Sequence, residues 1–318
     1  MRLTKTMFAL AAGGFVVIAS SAAQATVLAT SVTQFSNFTI SDTATTNQLD
    51  FNTDFSFLTF TSTGGYSGTL PGTSGYNGSG SVAPVNLPAV CVGSGCGAFN
   101  AAYGPDNSFT KIVAPPVGNY SAADQDEAGA PILNLPGLPS PASVANGAYA
   151  GLTTQNALSH STSTNNLNSS IIFSLNHAMG LTFAFDINAF LQVAVTNDEQ
   201  FGAFATASLS EDFSIVDLST GGTTVWTYSP TIFDLQTLSL NAPLPVNVTL
   251  TRDTGAVPVS FSTSTPLLNN NDLYQLSIRN NNNADAQRSV PEPGSLALMG
   301  VALAGIAGVL GRRRRRAV

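Results

Sequence analysis

The chain has 318 residues, of which 43% are hydrophobic and only 9% are charged. A soluble domain carries about 25% charged residues, so this surface must be solvated largely by Ser, Thr, Asn and Gly. Between the two ends of the chain, only Lys111, Arg252, Arg279 and Arg288 are basic, against 17 acidic residues. Nucleic-acid binding requires clustered Lys and Arg, so the composition excludes that class of protein.

The N-terminus has the pattern of a secretory signal peptide. Two basic residues precede the apolar stretch Met7–Ile18, and a tail of small residues ends in an A-x-A site formed by Ala23 and Ala25. The twelve residues of the apolar stretch are too few for a membrane span, which needs about 20. We therefore predict that residues 1–25 are a signal peptide, that the Sec machinery exports the chain, and that cleavage follows Ala25.

An uncharged segment, residues 294–311, lies close to the other end of the sequence. As a helix it would be about 27 Å long, close to the hydrocarbon thickness of a bilayer. The positive-inside rule predicts that the basic block after it stops translocation and stays in the cytoplasm. That block consists of Arg312, Arg313, Arg314, Arg315 and Arg316. The pattern predicts one transmembrane helix, with everything upstream on the far side of the inner membrane.

A short motif, Val290, Pro291, Glu292 and Pro293, directly precedes this segment. Motif, span and arginine cluster together resemble the PEP-CTERM sorting signal of exported proteins from Gram-negative bacteria that make exopolysaccharide. The resemblance implies that residues 290–318 are recognised in transit by an exosortase, a membrane-embedded cysteine transpeptidase. Processing would then release the protein to the cell surface or extracellular matrix after transient anchoring in the inner membrane. A permanent single-pass anchor is the alternative.

Residues 26–289 are predicted to form one secreted all-β domain, an antiparallel β-sandwich or jelly roll. Bulky residues alternate with small or polar ones in 182–187, 246–250 and 274–278, which places them on one face of a strand. Polar turn residues separate the candidate strands. Strands are predicted over 32–40, 49–61, 171–175, 181–195, 201–218, 223–228, 246–252, 257–263 and 273–279. The Gly/Ser/Pro-rich segments 64–88 and 114–148 are predicted to be loops.

The order of segments also resembles a group of exosortase-dependent surface proteins. The opening strand Phe35–Ile40, the acidic segment Ala123–Asp126 and the Phe-rich stretch Phe183–Val195 carry this resemblance. It implies a surface protein and assigns no catalytic residues.

Cys91 and Cys96 are the two cysteines of the chain, with four residues between them. In an oxidising compartment they are expected to close a small disulfide loop. A metal site would need two more good ligands, and the whole chain has only His160 and His177 as histidines. Redox catalysis usually places two residues between the cysteines, not four.

Common catalytic motifs are absent from the sequence: a G-x-S-x-G elbow, a phosphate-binding loop and H-E-x-x-H all fail to match. His160 is predicted to lie in a loop and His177 in a hairpin turn. We therefore predict no catalytic residues and no cofactor. Weak calcium candidates are Asp124, Asp126 and Glu127, because closely spaced carboxylates can supply the oxygens that calcium takes. Solvated turns are the simpler interpretation of the same residues.

Two functional classes follow from these patterns. The first is a non-enzymatic surface or matrix protein, structural or adhesive, in association with exopolysaccharide, since neutral polar side chains match sugar hydroxyls. The second is a secreted carbohydrate-binding or polysaccharide-active protein, including a glycan hydrolase, that carries the same sorting tail. The sequence favours the first, because it has few His and charged residues and no catalytic motif.

Overall fold

Two antiparallel β-sheets packed face to face form the body of the computed structural model. It describes residues 26–50, 52–81, 84–114, 116–128, 143–153, 159–196, 203–230, 237–242, 247–288 and 302. The all-β prediction is confirmed, with the sandwich as its architecture. The predicted signal peptide, sorting motif and arginine cluster lie outside the described residues, as does the predicted span apart from Ala302. Within the described part of the chain, no helix is both long and apolar enough to cross a bilayer.

Sheet A contains seven strands. In spatial order they are β12 (Val248–Asp253), β8 (Met179–Val195), β1 (Val27–Asp42), β6 (Ser143–Leu152), β5 (Tyr120–Ala128) and β4 (Asn86–Val92), with β13 (Val259–Leu268) pairing β8 on the same side as β12. The first strand is central, because β1 is antiparallel to β6 on one side and to β8 on the other.

Sheet B also contains seven strands. In spatial order they are β10 (Thr223–Tyr228), β9 (Ala203–Asp217), β14 (Tyr274–Arg288), β7 (Ser159–Leu175), β2 (Phe55–Thr69) and β3 (Tyr76–Gly80), with β11 (Thr237–Ala242) pairing β9. The last strand, β14, pairs along its whole length with both β7 and β9. The predicted sorting motif therefore follows directly in sequence from a central strand of this sheet.

Aromatic side chains fill one part of the space between the sheets. Phe185 packs against Phe213 and Phe35, with ring centroids 4.8 Å and 5.1 Å away. Phe38 stacks on Phe183 at 5.7 Å. The alternation predicted for 182–187 is the cause, because every second residue of β8 points to the other sheet.

Small and polar side chains fill another part of the same interface. Strands β9 and β14 contribute buried alanines there, including Ala205, Ala207 and Ala284. Polar groups then bridge the sheets: the Asn282 amide donates to Ser31 Oγ at 2.8 Å, and Ser163 Oγ donates to the Ala122 carbonyl at 2.6 Å. Buried polar groups need such partners, so this part of the core is built from hydrogen bonds as well as apolar contacts.

Helix α1 (Cys96–Tyr103) and the segment after it cover the outer face of sheet A over β1, β5, β6 and the end of β8. Phe99 and Tyr103, four residues apart, lie on one face of the helix and pack against Tyr120 and Tyr149 of the sheet. Gly104 ends the helix with φ of 95°, and its N–H donates to the Asn100 carbonyl. The sequence analysis missed this helix, because eight residues are too short to show a periodic apolar pattern.

The prediction that segments 64–88 and 114–148 are loops is wrong, because both contain strands. Segment 64–88 contains the end of β2, all of β3 and the start of β4, and segment 114–148 contains β5 and the start of β6. Glycines and small residues mask the strand pattern in both segments. Their backbones form regular ladders, for example β5 with β6 from Tyr120 to Ala128.

Candidate functional site

The outer face of sheet B is an array of neutral polar side chains, which we call the open face. Strands β2, β7, β14 and β9 are aligned so that each row has one outward residue per strand. Three rows are Thr63, Asn168, Arg279 and Asp212; Gly65, Asn166, Asn281 and Ser210; and Ser67, Thr164, Asn283 and Ser208. Many of these side chains are exposed, Thr63, Ser67, Asn166, Arg279 and Asn283 among them.

Alternation along the strands explains why the open face is polar. In β9, and in β14 apart from Ser277, the odd and even positions separate into buried and solvent-facing sets. The run Asn280–Asn283 therefore divides, with Asn280 and Asn282 in the core and Asn281 and Asn283 on the open face. Neighbouring side chains steady one another, as when the Asn281 amide donates to Ser210 Oγ at 3.1 Å.

A shallow groove of about 250 Å³ crosses the open face beside Arg279. It exists because Gly65 has no side chain where the neighbouring rows carry Thr63 and Ser67. A Cβ at Gly65 would lie 3.2 Å from the Gly78 carbonyl oxygen. The groove is lined by Thr63, Gly64, Gly65, Asn166, Leu167, Asn168, Arg279 and Asn281.

The two histidines lie apart from each other. His160 was predicted in a loop but belongs to β7, where its Nε2 lies 2.9 Å from Asp285 Oδ1 on the open face. His177 lies in the exposed turn between β7 and β8, as predicted. It lines a second groove, of about 360 Å³, together with Asp42 and Met179.

The weak calcium candidates Asp124, Asp126 and Glu127 are in strand β5, not in a solvated turn. Asp124 faces α1 and accepts from the Tyr103 hydroxyl at 2.5 Å. Glu127 faces the other sheet and accepts from Ser62 Oγ at 2.8 Å. The two carboxylates thus point to opposite sides of sheet A. No group of three or more His, Cys, Asp or Glu is placed to hold a metal ion among the residues that the structure describes.

Asp124 is a buried carboxyl group in an aromatic setting. It is 1% exposed, and its Oδ2 also accepts from the backbone N–H of Asn107 at 2.9 Å. Burial raises the pKa of Asp124 to about 6, while the donors Tyr103 and Asn107 oppose that shift. The Tyr103 hydroxyl in turn accepts from the Phe109 N–H at 3.1 Å. This cluster fixes the segment after α1 against sheet A.

Replacing Tyr103 by phenylalanine should destabilise the protein by about 1–3 kcal/mol at pH 8 and by less at pH 4. At pH 8 Asp124 is ionised in the folded protein and loses a donor, whereas at pH 4 the folded carboxyl is protonated. Urea unfolding at both pH values measures the difference. Tyr120→Phe is the matched control, since the Tyr120 hydroxyl is buried without a hydrogen-bond partner in the described structure. Equal losses for the two variants would contradict the assignment.

A second buried carboxyl group, Glu211, lies between the sheets. It is 2% exposed and accepts from the Asn280 amide at 2.6 Å. Asn280 Oδ1 accepts from the Asn146 amide at 2.7 Å, and Asn146 Oδ1 accepts from Gln125 at 3.2 Å. Burial, and to a smaller extent the nearby charge of Asp212, raises the pKa of Glu211 well above its ordinary value. The four side chains connect both sheets through one polar network.

Cys91 and Cys96 form a disulfide between β4 and the first residue of α1. The bond ties the start of the helix to the strand beside it. Both cysteines also contact the aromatic cluster beneath α1.

Changing Cys91 and Cys96 together to serine should lower the melting temperature by only a few degrees. So short a loop removes little entropy from the unfolded chain, about 2–3 kcal/mol at most. Phe99 and Tyr103 hold α1 through packing that does not require the bond. Differential scanning calorimetry checks this result, and loss of the cooperative transition would contradict it.

The sequence analysis did not single out the residues that build the open face. Asn165–Asn168 and Asn280–Asn283 have no hydrophobic alternation, so neither run was predicted as strand. The signal that could have found them is the pairing of two Asn-rich runs of similar length, which lie side by side in β7 and β14.

The residues predicted for sorting and cleavage, Val290–Pro293, Arg312–Arg316, Ala23 and Ala25, lie outside the described residues. The family described as PEP-CTERM protein-sorting motif matches residues 289–316. No curated protein matches the chain.

Similarity to solved structures is slight. The VP2 subviral particle of infectious bursal disease virus is 12% identical over 91% of this chain and 88% of that chain, with a TM-score of 0.09. The Gt strain of the same virus is 11% identical over 88% and 85%, with a TM-score of 0.08. Scores this low carry no argument about fold or function.

The matched segment coincides with the predicted motif, span and arginine cluster. Such a motif directs exosortase-dependent sorting of an exported protein towards the cell surface, with processing by the exosortase in transit. The chain therefore carries a PEP-CTERM protein-sorting motif at residues 289–316.

Proposed function

We propose that the protein is a non-enzymatic component of the cell surface or extracellular matrix, structural or adhesive in association with exopolysaccharide. The observation that carries the proposal is the open face. It presents Ser, Thr and Asn from four aligned strands, whereas α1 and the segment after it cover the outer face of sheet A over β1, β5, β6 and the end of β8.

Polysaccharides offer many hydroxyl groups of both donor and acceptor character, and Asn, Ser and Thr side chains provide both. The sheet holds these side chains in fixed rows, so little conformational freedom is lost when a polymer binds. Each contact is weak, but a polymer engages many of them at once, and the contacts reinforce one another. A surface of this kind suits retention in a matrix.

The experiment is co-sedimentation of the purified protein with exopolysaccharide isolated from the producing cells. Changing Thr61 and Ser67 together to glutamate places two charges on the open face, and we expect binding to fall about tenfold. The control is Thr249→Glu with Ser262→Glu, two exposed positions on sheet A. Equal binding by both double variants, or no binding by the unaltered protein, would contradict the proposal.

The rival function, a polysaccharide-active enzyme with the same sorting tail, is tested on the same preparations. Reducing-end assays on the isolated polysaccharide and on a panel of glycans measure turnover. Hydrolysis that depends on His160, His177 or a buried carboxylate would replace the structural role with a catalytic one. Binding without turnover supports the proposal.

A further inference from the structure

Arg279 stands in the middle of the open face, and none of the carboxylates that the structure describes forms an ion pair with it. Lys111 pairs with Asp253 at 2.6 Å, and His160 lies beside Asp285. Arg279 makes no ion pair or hydrogen bond with any residue that the structure describes. Asp212 is its neighbour on β9, but Asp212 Oδ1 accepts from the Ser229 hydroxyl at 2.5 Å. Of the two exposed arginines in the described part of the chain, Arg252 lies on sheet A and Arg279 lies on the open face, among neutral amides.

The groove at Gly65 lies directly beside this guanidinium. Its polar lining comes from Thr63, Asn166, Asn168, Arg279 and Asn281, and no carboxylate is among its lining residues. Asn168, next to Arg279 in the row, has a buried Oδ1 with no hydrogen-bond partner in the described part of the chain. One cation, several amide groups and an unused acceptor thus surround a space without a side chain.

We propose that this groove binds the carboxylate of a uronic acid residue in an acidic polysaccharide. The guanidinium fork matches the two oxygens of a carboxylate, which a neutral sugar does not offer. The amides of Asn166 and Asn281 and the Thr63 hydroxyl are placed to bond the ring hydroxyls of the same sugar. The site rests on the proposed function, because it names the polymer that the open face takes.

The negative net charge of the protein makes the assignment more specific. Acidic residues elsewhere repel an anionic polymer, so its approach is favoured only where the local charge is positive. Asp212 lies opposite Arg279 on β9 and accepts from Ser229, but it does not line the groove. Binding should therefore be local to Arg279 and should weaken as salt screens the contact.

The test measures the retardation of the purified protein in affinity gels that contain polygalacturonic acid or its carboxyl-reduced, neutral counterpart. We expect the acidic polymer to bind more tightly. Arg279→Gln should lower its affinity about tenfold while leaving the neutral polymer unaffected. Arg279→Lys should fall between the two, because lysine keeps the charge and loses the fork. Arg252→Gln, an exposed arginine on sheet A, is the control for net charge.

Equal affinity of the unaltered protein and Arg279→Gln for the acidic polymer, or a preference for the neutral polymer, would overturn the inference. Co-sedimentation with native exopolysaccharide separates this result from failure of the proposed function. If Arg279→Gln still co-sediments normally, the open face binds polysaccharide but not through a uronate at Arg279. If the unaltered protein binds neither native polymer nor gel, both proposals fail.

Discussion

Replacing Phe185 by alanine is expected to cost about 3–5 kcal/mol of unfolding free energy, the largest effect of any single substitution proposed for this protein. Phe185 is 2% exposed and joins the aromatic groups of both sheets. Its ring lies within 5.4 Å of Phe35, Phe213 and Phe261. Truncation leaves a cavity that three rigid rings cannot close.

Urea or guanidinium unfolding of the purified protein measures this cost. Phe57→Ala is the matched control, because Phe57 is 48% exposed and its loss should change the free energy by only about 0.5 kcal/mol. Similar losses for the two variants would show that the aromatic contacts between the sheets do not hold the sandwich together.

The second large effect is a fall in stability as pH rises above the ordinary range of a glutamic acid. Glu211 is buried between the sheets, and burial raises its pKa well above its ordinary value of 4.5. Its protonated form is therefore favoured in the folded protein. The resulting stabilisation is fully present below pH 4.5 and is lost as pH rises through the folded-state pKa. The slope approaches about 1.4 kcal/mol per pH unit for one proton.

Glu211→Gln should remove much of this pH dependence and make the protein more stable than the unaltered chain at pH 8. Glutamine keeps an acceptor for the Asn280 amide and carries no charge. The remaining dependence should come from Asp124, whose pKa of about 6 gives the same sign between about pH 4 and pH 6. Thermal melts from pH 4 to pH 9 measure both variants.

Asp272→Asn is the control for the loss of one negative charge, since Asp272 lies in the partly exposed turn before β14. An unchanged pH profile in Glu211→Gln would mean that the buried carboxyl does not couple to folding. Equal changes in the two variants would point to general charge repulsion instead.

Apolar alternation predicted part of the fold correctly. The strands around 181–195, 201–218, 223–228 and 273–279 are all present, because each places bulky residues every second position on the core side. The hairpin turn predicted at His177 is also present, between β7 and β8.

The strands predicted over 32–40, 246–252 and 257–263 are present too, as β1, β12 and β13. Strands β3 to β6, β11 and the polar ends of β7 and β14 could not be predicted from that pattern. The polar ends of β7 and β14 face a part of the core that is itself polar. There, Asn165 and Asn282 hold the sheets together by hydrogen bonds instead of by apolar contacts. Strands β5 and β6 use alanines and glycines, which carry no strand preference. Their formation depends on pairing with neighbours distant in sequence.

The candidate functional residues also include some that the sequence could predict and some that it could not. The sorting motif is a local sequence feature, and its prediction is confirmed by the match to residues 289–316. The open face and the Arg279 groove arise only when β2, β7, β14 and β9 are aligned, and Gly65 and Arg279 are more than 200 positions apart. Composition indicated a neutral polar surface but could not place it on one sheet.

Intact-mass spectrometry of the native protein, recovered from the surface or matrix of exosortase-containing cells, tests the central claim of exosortase-dependent sorting most directly. The account predicts a mature chain that begins at Thr26 and has lost both the span, residues 294–311, and the arginine-containing residues 312–318. A native exported protein that still carries Arg312–Val318 would contradict it, and a permanent membrane anchor would take the place of sorting.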